Sequence, residues 1–337
     1  MKTLVYHGPR QLSLEDKEDP HAGPGEAVIK VEAAGICGSE LEGYLGHSSV
    51  RIPPLIMGHE FCGTIVGIDY QSGALAGFSI GDKVVANPLI SCGSCDRCII
   101  GKRNLCRHRE LIGIHRPGAF AGYVTVPVSS LYKVPQEMDA AVASLAEPLA
   151  VCIHAIKLGL PYLDDLIIYG AGTIGLLTLQ AALNMGANQV LVVDRQEVRL
   201  HHVKLLGAEV ATPEQVEVKA AELFAQRGID TIIDCVGATA VRQQALELIS
   251  PGGNIVLVGL GSDESPMKLN HLVRQEVNIR GSYSYSDADF KHAVQMLVSG
   301  KIRADGWLAK RNLSDGPDSF RALVEGKTEF SKITLHP

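Results

Sequence analysis

The sequence predicts an α/β protein in two parts: a mostly β N-terminal half followed by a parallel sheet wound with helices on both faces. Three observations carry this. At 337 residues the chain is longer than one hydrophobic core usually serves, so two domains are expected. Up to about Glu147 it runs in short β-like stretches broken by Gly and Pro, whereas from Asp165 apolar strand candidates alternate with helix-like stretches. Hydrophobic residues make up 46% and charged residues 20%, ordinary values for a globular protein, which sets aside disordered, collagen-like and coiled-coil classes.

In the first half, Ala27–Val31, Thr64–Ile68, Lys83–Ala86 and Tyr123–Val126 read as strands, with an irregular loop inserted near residues 90 to 108. In the second, strands are expected at Leu166–Tyr169, Val190–Val193, Thr231–Ile233 and Ile255–Val258. Helices are expected at Ile174–Met185, Glu214–Gln226 and Ala240–Ile249. A further strand at Val277–Gly281 and helices near Ala288–Leu297 and Ser319–Glu325 extend the sheet or return to the first domain. The expected division is 1–148, 149–272 and a C-terminal segment 273–337. No internal repeat and no low-complexity stretch stands out.

A net charge of −6 without a Lys/Arg block argues against a nucleic-acid surface, so a small-molecule partner is expected. No apolar run approaches the roughly 20 residues needed to span a bilayer, so no membrane-spanning segment is expected. The Met1–Val5 start passes into a strand-like run rather than a secretory signal, and a cytoplasmic protein is expected.

Two sets of metal-binding residues differ in kind. Cys92, Cys95, Cys98 and Cys106 stand at the spacing Cys-x2-Cys-x2-Cys-x7-Cys, which matches a closed structural zinc site; two disulfides are the alternative, disfavoured in a reducing compartment. Cys37, followed at a distance by His59-Glu60, is the mixed set expected of a catalytic zinc that keeps a position open.

Leu166–Tyr169 runs into Gly170-Ala171-Gly172-Thr173-Ile174-Gly175 and then a helix-like stretch. In that setting Gly170 permits the turn, Gly172 lets the backbone approach a pyrophosphate and Gly175 packs helix on strand. The phosphates then lie at the helix N-terminus, as in a Rossmann domain. Asp194 ends the next strand, 19 residues beyond Gly175, where an acid hydrogen-bonds the adenosine ribose and favours NAD over NADP. A solvated turn Asp is the plainer reading, and Arg195, able to accommodate a 2′-phosphate, is the reservation. Arg199, Val236, Gly237, Gly259 and Leu260 complete the expected cofactor crevice. A nicotinamide cofactor beside a catalytic zinc points to hydride transfer from an alcohol whose proton the metal has made acidic.

Gly35-Ile36-Cys37-Gly38-Ser39, Gly58-His59-Glu60, the four-cysteine lobe, Glu147-Pro148-Leu149 and the glycine turn together resemble the zinc-dependent medium-chain alcohol dehydrogenases, in particular their sorbitol dehydrogenase branch. The resemblance spans essentially the whole chain. It implies a GroES-like catalytic domain made from the N-terminal half and the C-terminal tail, a Rossmann domain inserted between them, an active site in the cleft, and a homodimer or homotetramer. It makes Cys37 and His59 zinc ligands, with Glu60 ligating or standing close behind. Glu147 is the implied fourth ligand and Cys152 its rival. Ser39 resembles the hydroxyl that relays the alcohol proton, although a serine there could equally cap a helix. Glu42 stands where many relatives have a histidine, so His47 or a water would complete the relay; Gly122 likewise replaces the family's usual glutamate. Ser282 and Ser284 fall where the family brings a strand end near the nicotinamide.

The expected reaction is zinc-dependent, NAD-linked oxidation of a secondary hydroxyl on a polyol, sugar alcohol or diol. The same mechanism could serve a simple secondary alcohol, a threonine-like amino alcohol or a sugar-alcohol phosphate. The last would need a basic residue such as Arg51, Arg116 or Arg280. A non-catalytic nucleotide-binding scaffold and a zinc-free quinone reductase fit less well, since neither needs Cys37, His59, Glu60 and Glu147 together. His115, His154 and His271 read as ordinary polar positions, Cys62 and Cys235 as small core residues. Trp307 and the Tyr283–Tyr285 pair are candidates to line a pocket or an interface.

Overall fold

A computed structural model describes residues 1–69, 77–160, 165–225 and 227–337. The chain divides into two compact units, Met1–Glu147 with Ser286–Pro337, and Pro148–Tyr285. The segment expected to begin at 273 is thus split, its first strand staying with the second unit.

In the first unit the main sheet runs Leu131–Lys133, Lys83–Ala86, Glu60–Ile68, Glu26–Gly35, Lys332–His336 and Leu308–Asn312, with Tyr123–Pro127 also paired to Glu26–Gly35. Glu26–Gly35 alternates little and is buried along most of its length, because other strands flank it and both of its faces are covered. The sequence signalled neither Leu308–Asn312 nor Lys332–His336 as strands. The latter pairs Thr334 with Gly35 and Leu335 with Ala34 on one side and Leu308–Asn312 on the other, so these two strands extend the sheet of the first half. A second layer of packing comes from Gly316–Val324, a helix whose Phe320 is fully buried against Tyr44 (centroids 5.4 Å apart) and edge-on to Phe120 (5.9 Å). Trp307 does not line a pocket: it is 1% exposed and its indole N–H donates to the Arg303 carbonyl at 3.1 Å, a core position.

The second unit holds six parallel strands in the order Glu209–Ala211, Gln189–Val193, Asp165–Tyr169, Thr231–Asp234, Asn254–Leu257 and Asn278–Gly281. Asp165–Tyr169 is buried at every position, as a central parallel strand requires, and its Leu166–Tyr169 register against Thr231–Asp234 is unbroken. From this strand the chain runs outward through Gln189–Val193 and Glu209–Ala211 and then crosses back to Thr231–Asp234 on its other side, so its carboxyl end is where such sheets place their ligand. The helix expected over Glu214–Gln226 is Val216–Phe224, and Gln226 lies outside the described residues.

One helix departs from the expectation that no apolar run reaches the length of a bilayer span. The helical stretch Ala140–Gly159 has the length and composition to cross a membrane. It is 72% buried inside the protein, however, and carries Glu147 and Lys157, which fits a core helix.

Replacing Phe320 by Ala should cost about 3–5 kcal/mol of first-unit stability. Amide exchange should accelerate in Glu26–Gly35 and Lys332–His336 while Asp165–Tyr169 keeps its protection; uniform loss across both units would contradict this division.

Candidate active site and metal centres

The lobe shows most plainly what a metal would find. Cys92, Cys95, Cys98 and Cys106 are all free thiols. Their sulfurs lie 3.5 Å (Cys106–Cys92), 3.6 Å (Cys95–Cys98), 3.9 Å (Cys92–Cys98) and 3.9 Å (Cys95–Cys106) apart. A tetrahedron of sulfurs about 2.3 Å from a central zinc has edges of about 3.8 Å, so the donor set fits that ion and is far too open for disulfides. The cluster already favours negative charge in places: the N–H groups of Ser94 and Cys95 pull the Cys92 thiol down to about 6. Burial and neighbouring thiols push Cys98 up to about 12, so a cation must displace its proton.

The second set is built around one helix start. Cys37 precedes the helix Gly38–Leu45, His59 and Glu60 enter the strand Glu60–Ile68, and one ligand atom from each of Cys37, His59 and Glu60 lies within 4.8 Å of the others. Sulfur, nitrogen and oxygen donors in one pocket suit zinc with a position left open. Glu147, expected as the fourth ligand, does not join this group. It is the second residue of the helix Ala146–Gly159, largely buried, and has interactions of its own. Cys152, its rival, does not join either: its fully buried Sγ lies 3.1 Å from the Pro148 carbonyl oxygen and 3.3 Å from that of Ile174, either of which can accept its one proton.

Two residues the sequence reading missed hold this group in place. Glu40 is fully buried; its Oε2 accepts the Cys37 N–H at 3.0 Å, and its Oε1 accepts the Gly58 N–H at 2.8 Å and faces His59 Nδ1 at 2.9 Å. With Nδ1 held, His59 presents Nε2 to a metal. Burial works against charge on both groups, but their mutual attraction outweighs it: the Glu40 carboxyl lies below its ordinary range and His59 well above its own. A pocket that draws a proton so strongly draws a metal cation by the same field.

Lys332, from the C-terminal strand, is 2% exposed; its ammonium pairs with Glu60 Oε2 and donates to the Ile36 carbonyl at 2.9 Å. Burial alone would lower its pKa, yet Glu60, Cys37 and Glu40 raise it, so it stays charged. Gly35 makes room: a Cβ there would collide with Glu60 Oε2 and lie 2.7 Å from Lys332 Cε. Ser39 is exposed; its hydroxyl donates to Cys37 Sγ at 3.4 Å and accepts from Arg51 Nη2 at 2.9 Å. Glu42 and His47 face each other at 2.9 Å on the surface.

In the second unit the three glycines have the three separate surroundings their roles demand. Gly170 adopts φ +94° with Val236 against it, a Cβ at Gly175 would strike the Gly170 carbonyl, and Gly172 faces open space, with only Arg199 Nη1 at 4.0 Å. Gly172 precedes the helix Thr173–Asn184, and Thr173 and Ile174 form its half-buried first turn. Asp194 Oδ2 accepts the Ala171 N–H at 2.7 Å, Oδ1 accepts the Gln196 N–H at 2.8 Å, and Arg199 Nη1 lies 3.8 Å away; Arg195 is exposed.

Gly237 and Gly259 pack backbone on backbone, with Val236 and Leu260 exposed beside them. Asp234 and Arg242, also missed, fasten that contact: Asp234 Oδ1 accepts the N–H groups of Val236 (2.9 Å) and Gly237 (2.7 Å), and Arg242 reaches the Ser262 carbonyl at 2.8 Å. Ser282, past the strand Asn278–Gly281, has a buried hydroxyl without a partner among the described residues, the kind of orphan a bound group would satisfy. Cys62 is core: burial pushes its thiol up to about 12, which makes it unreactive.

A strand–glycine-turn–helix unit in the second unit and a mixed thiolate, imidazole and carboxylate pocket in the first are together the marks of a metal-dependent dehydrogenase. Comparison with known proteins agrees. Residues 23–136 match the alcohol dehydrogenase GroES-like domain and residues 173–299 the zinc-binding dehydrogenase domain. A sorbitol dehydrogenase of Halalkalibacterium halodurans is 33% identical, covering 100% of this chain and 99% of its own. A crystal structure from Sinorhizobium meliloti 1021 bound to NADP is 30% identical with a TM-score of 0.91, covering 100% of this chain and 99% of its own. The rspB alcohol dehydrogenase of E. coli CFT073 with NADH is 29% identical at a TM-score of 0.90, with the same coverage. The chain belongs to the zinc-binding dehydrogenase family.

Replacing Glu40 by Ala should weaken metal retention at the mixed site by about 10–100-fold while the lobe keeps its ion. Metal content after graded chelator dialysis reads this out; parallel loss from both sites would count against Glu40's role.

Proposed function

We propose that the protein oxidises a secondary hydroxyl of a polyol, sugar alcohol or diol to the ketone, reversibly, using NAD and two zinc ions per chain. The observation that carries this is the convergence of Cys37, His59 and Glu60 within 4.8 Å, with His59 fixed by Glu40, in a chain that also carries the glycine turn. The similarity to a sorbitol dehydrogenase supports the polyol class.

When bound, zinc supplies Lewis acidity that lowers the pKa of the substrate hydroxyl, and the nicotinamide accepts the hydride. The chain's own residues do the rest. Cys37 and His59 hold the metal, and Glu40 keeps the imidazole in the tautomer that ligates. Lys332 neutralises Glu60 and limits how much negative charge reaches the ion. Ser39, exposed beside Cys37, is placed to receive the hydroxyl proton. The N–H groups opening Thr173–Asn184 bind pyrophosphate across the bare face of Gly172.

NAD is favoured over NADP because the Asp194 carboxylate, turned toward the glycine loop, would repel a 2′-phosphate. The four thiols spaced for zinc suit a cytoplasmic, reducing setting. A homodimer joined along Asn278–Gly281, an edge strand with exposed Leu269 and Val273 nearby, is the assembly we favour.

His59→Ala should abolish NADH formation from a polyol panel while circular dichroism stays native; surviving turnover would refute the role given to the metal. Asp194→Ala should reduce the kcat/KM ratio for NAD over NADP by at least about tenfold, and a wild-type preference for NADP would overturn the ribose assignment.

A further inference from the structure

Of the three arginines the sequence offers to an acidic substrate group, two are already engaged. Arg116 Nη2 pairs with Glu26, and Arg280 Nη1 donates to the Leu158 carbonyl at 3.2 Å. Arg51 differs. It is 6% exposed, yet among the described residues it makes no ion pair with a carboxylate; Nη2 donates to Ser39 Oγ at 2.9 Å and Nε is buried with no partner at all. The nearby carboxylate of Glu40 is already used on both oxygens, by the Cys37 and Gly58 N–H groups and by His59.

The Glu40 carboxylate acts on Arg51 electrostatically, but among the described residues no hydrogen bond joins the two, and a buried guanidinium with an unmet N–H is unfavourable unless a ligand completes it. The placement is specific. Gly43, on the helix Gly38–Leu45, lacks the Cβ that would collide with Arg51 Cδ, so the arginine stem crosses the helix there. The fork comes out at the first turn, against exposed Ser39. Nε and Nη2 form one edge of the guanidinium, the edge that receives both oxygens of a carboxylate or phosphate. Ser39 supplies an acceptor to one of these N–H groups; the other, on Nε, is enclosed and has no hydrogen-bond partner among the described residues. Ser39 in turn touches Cys37 Sγ at 3.4 Å, so the vacant edge is about two hydrogen-bond lengths from a metal-ligating atom.

We propose that Arg51 and Ser39 form a subsite for an acidic group, a carboxylate or a phosphate monoester, carried on the substrate roughly one or two carbons from the hydroxyl that is oxidised. This rests on the dehydrogenase reading above and narrows it from polyols in general to acidic ones. Arg51 is then the residue that sets specificity. A neutral sugar alcohol leaves its Nε unpaired, whereas an acidic one completes the fork.

The test uses the zinc-loaded, full-length protein with NAD and matched pairs of equal carbon skeleton: a sugar alcohol against its aldonate, and a sugar alcohol against its terminal phosphate. Wild type should prefer an acidic member by roughly a hundredfold in kcat/KM, the scale of one buried charge pair; whichever acid wins identifies the oxyanion. Arg51→Met should erase the preference, mainly through KM, and Arg51→Lys should restore part of it. Isothermal titration with inorganic phosphate gives a readout independent of turnover, with binding expected in wild type and lost in Arg51→Met. Neutral substrates winning every pair would overturn the proposal and leave the dehydrogenase reading intact, as would a preference that persists in Arg51→Met. Phosphate binding through Arg51 without oxidation of any alcohol would uphold the subsite and defeat the dehydrogenase reading. Should Arg51→Met fail to fold, the wild-type ratios and the Arg51→Lys variant decide the matter.

Discussion

The site depends on keeping several charges out of water at once and paired. Glu40, His59, Glu60 and Lys332 are each no more than 4% exposed, and each meets an opposite or hydrogen-bonding partner. Buried ions are tolerated only in such company, and removing one member leaves another uncompensated. This requirement explains why the first unit draws on both ends of the chain. Lys332 arrives on the final strand, which pairs with Glu26–Gly35, and Gly35 leaves the gap its ammonium needs to reach Glu60. The strand Lys332–His336 therefore belongs to the same buried charge cluster as Glu60 and His59.

The two metal centres divide along the same physical line. Four thiols within a short, mostly exposed loop would close the shell of a metal and so hold that loop. The mixed set is held by buried elements, and its three candidate ligands would leave a coordination position open. Positional rigidity comes from neighbours rather than from the ligands themselves: Glu40 fixes His59, and Lys332 fixes Glu60.

What the sequence made legible was whatever is local. The glycine turn, the lobe spacing and the parallel strands each declare themselves within a few residues, and the observed strands Lys83–Ala86 and Thr231–Asp234 lie within a residue of where the pattern put them. Glu40 was missed although a signal existed: an acid three residues after the residue preceding a helix is the spacing of a capping box, here turned to orienting a ligand. Lys332 gave no such signal, since its partner Glu60 is 272 residues away in the chain. The same holds for the strands Leu308–Asn312 and Lys332–His336, whose pairing is wholly tertiary. The choice between Glu147 and Cys152 rested on residue type, whereas position decides ligation, and the helix Ala146–Gly159 sets the position of both.

The most direct test of this account is anomalous diffraction at the zinc edge from crystals of the purified protein. Two peaks per chain are predicted. One lies at the centre of the Cys92, Cys95, Cys98 and Cys106 sulfurs. The other is bonded to Cys37 Sγ and His59 Nε2, with Glu40 still on Nδ1. A single peak confined to the lobe, or a second ion held by residues other than Cys37 and His59, would contradict it.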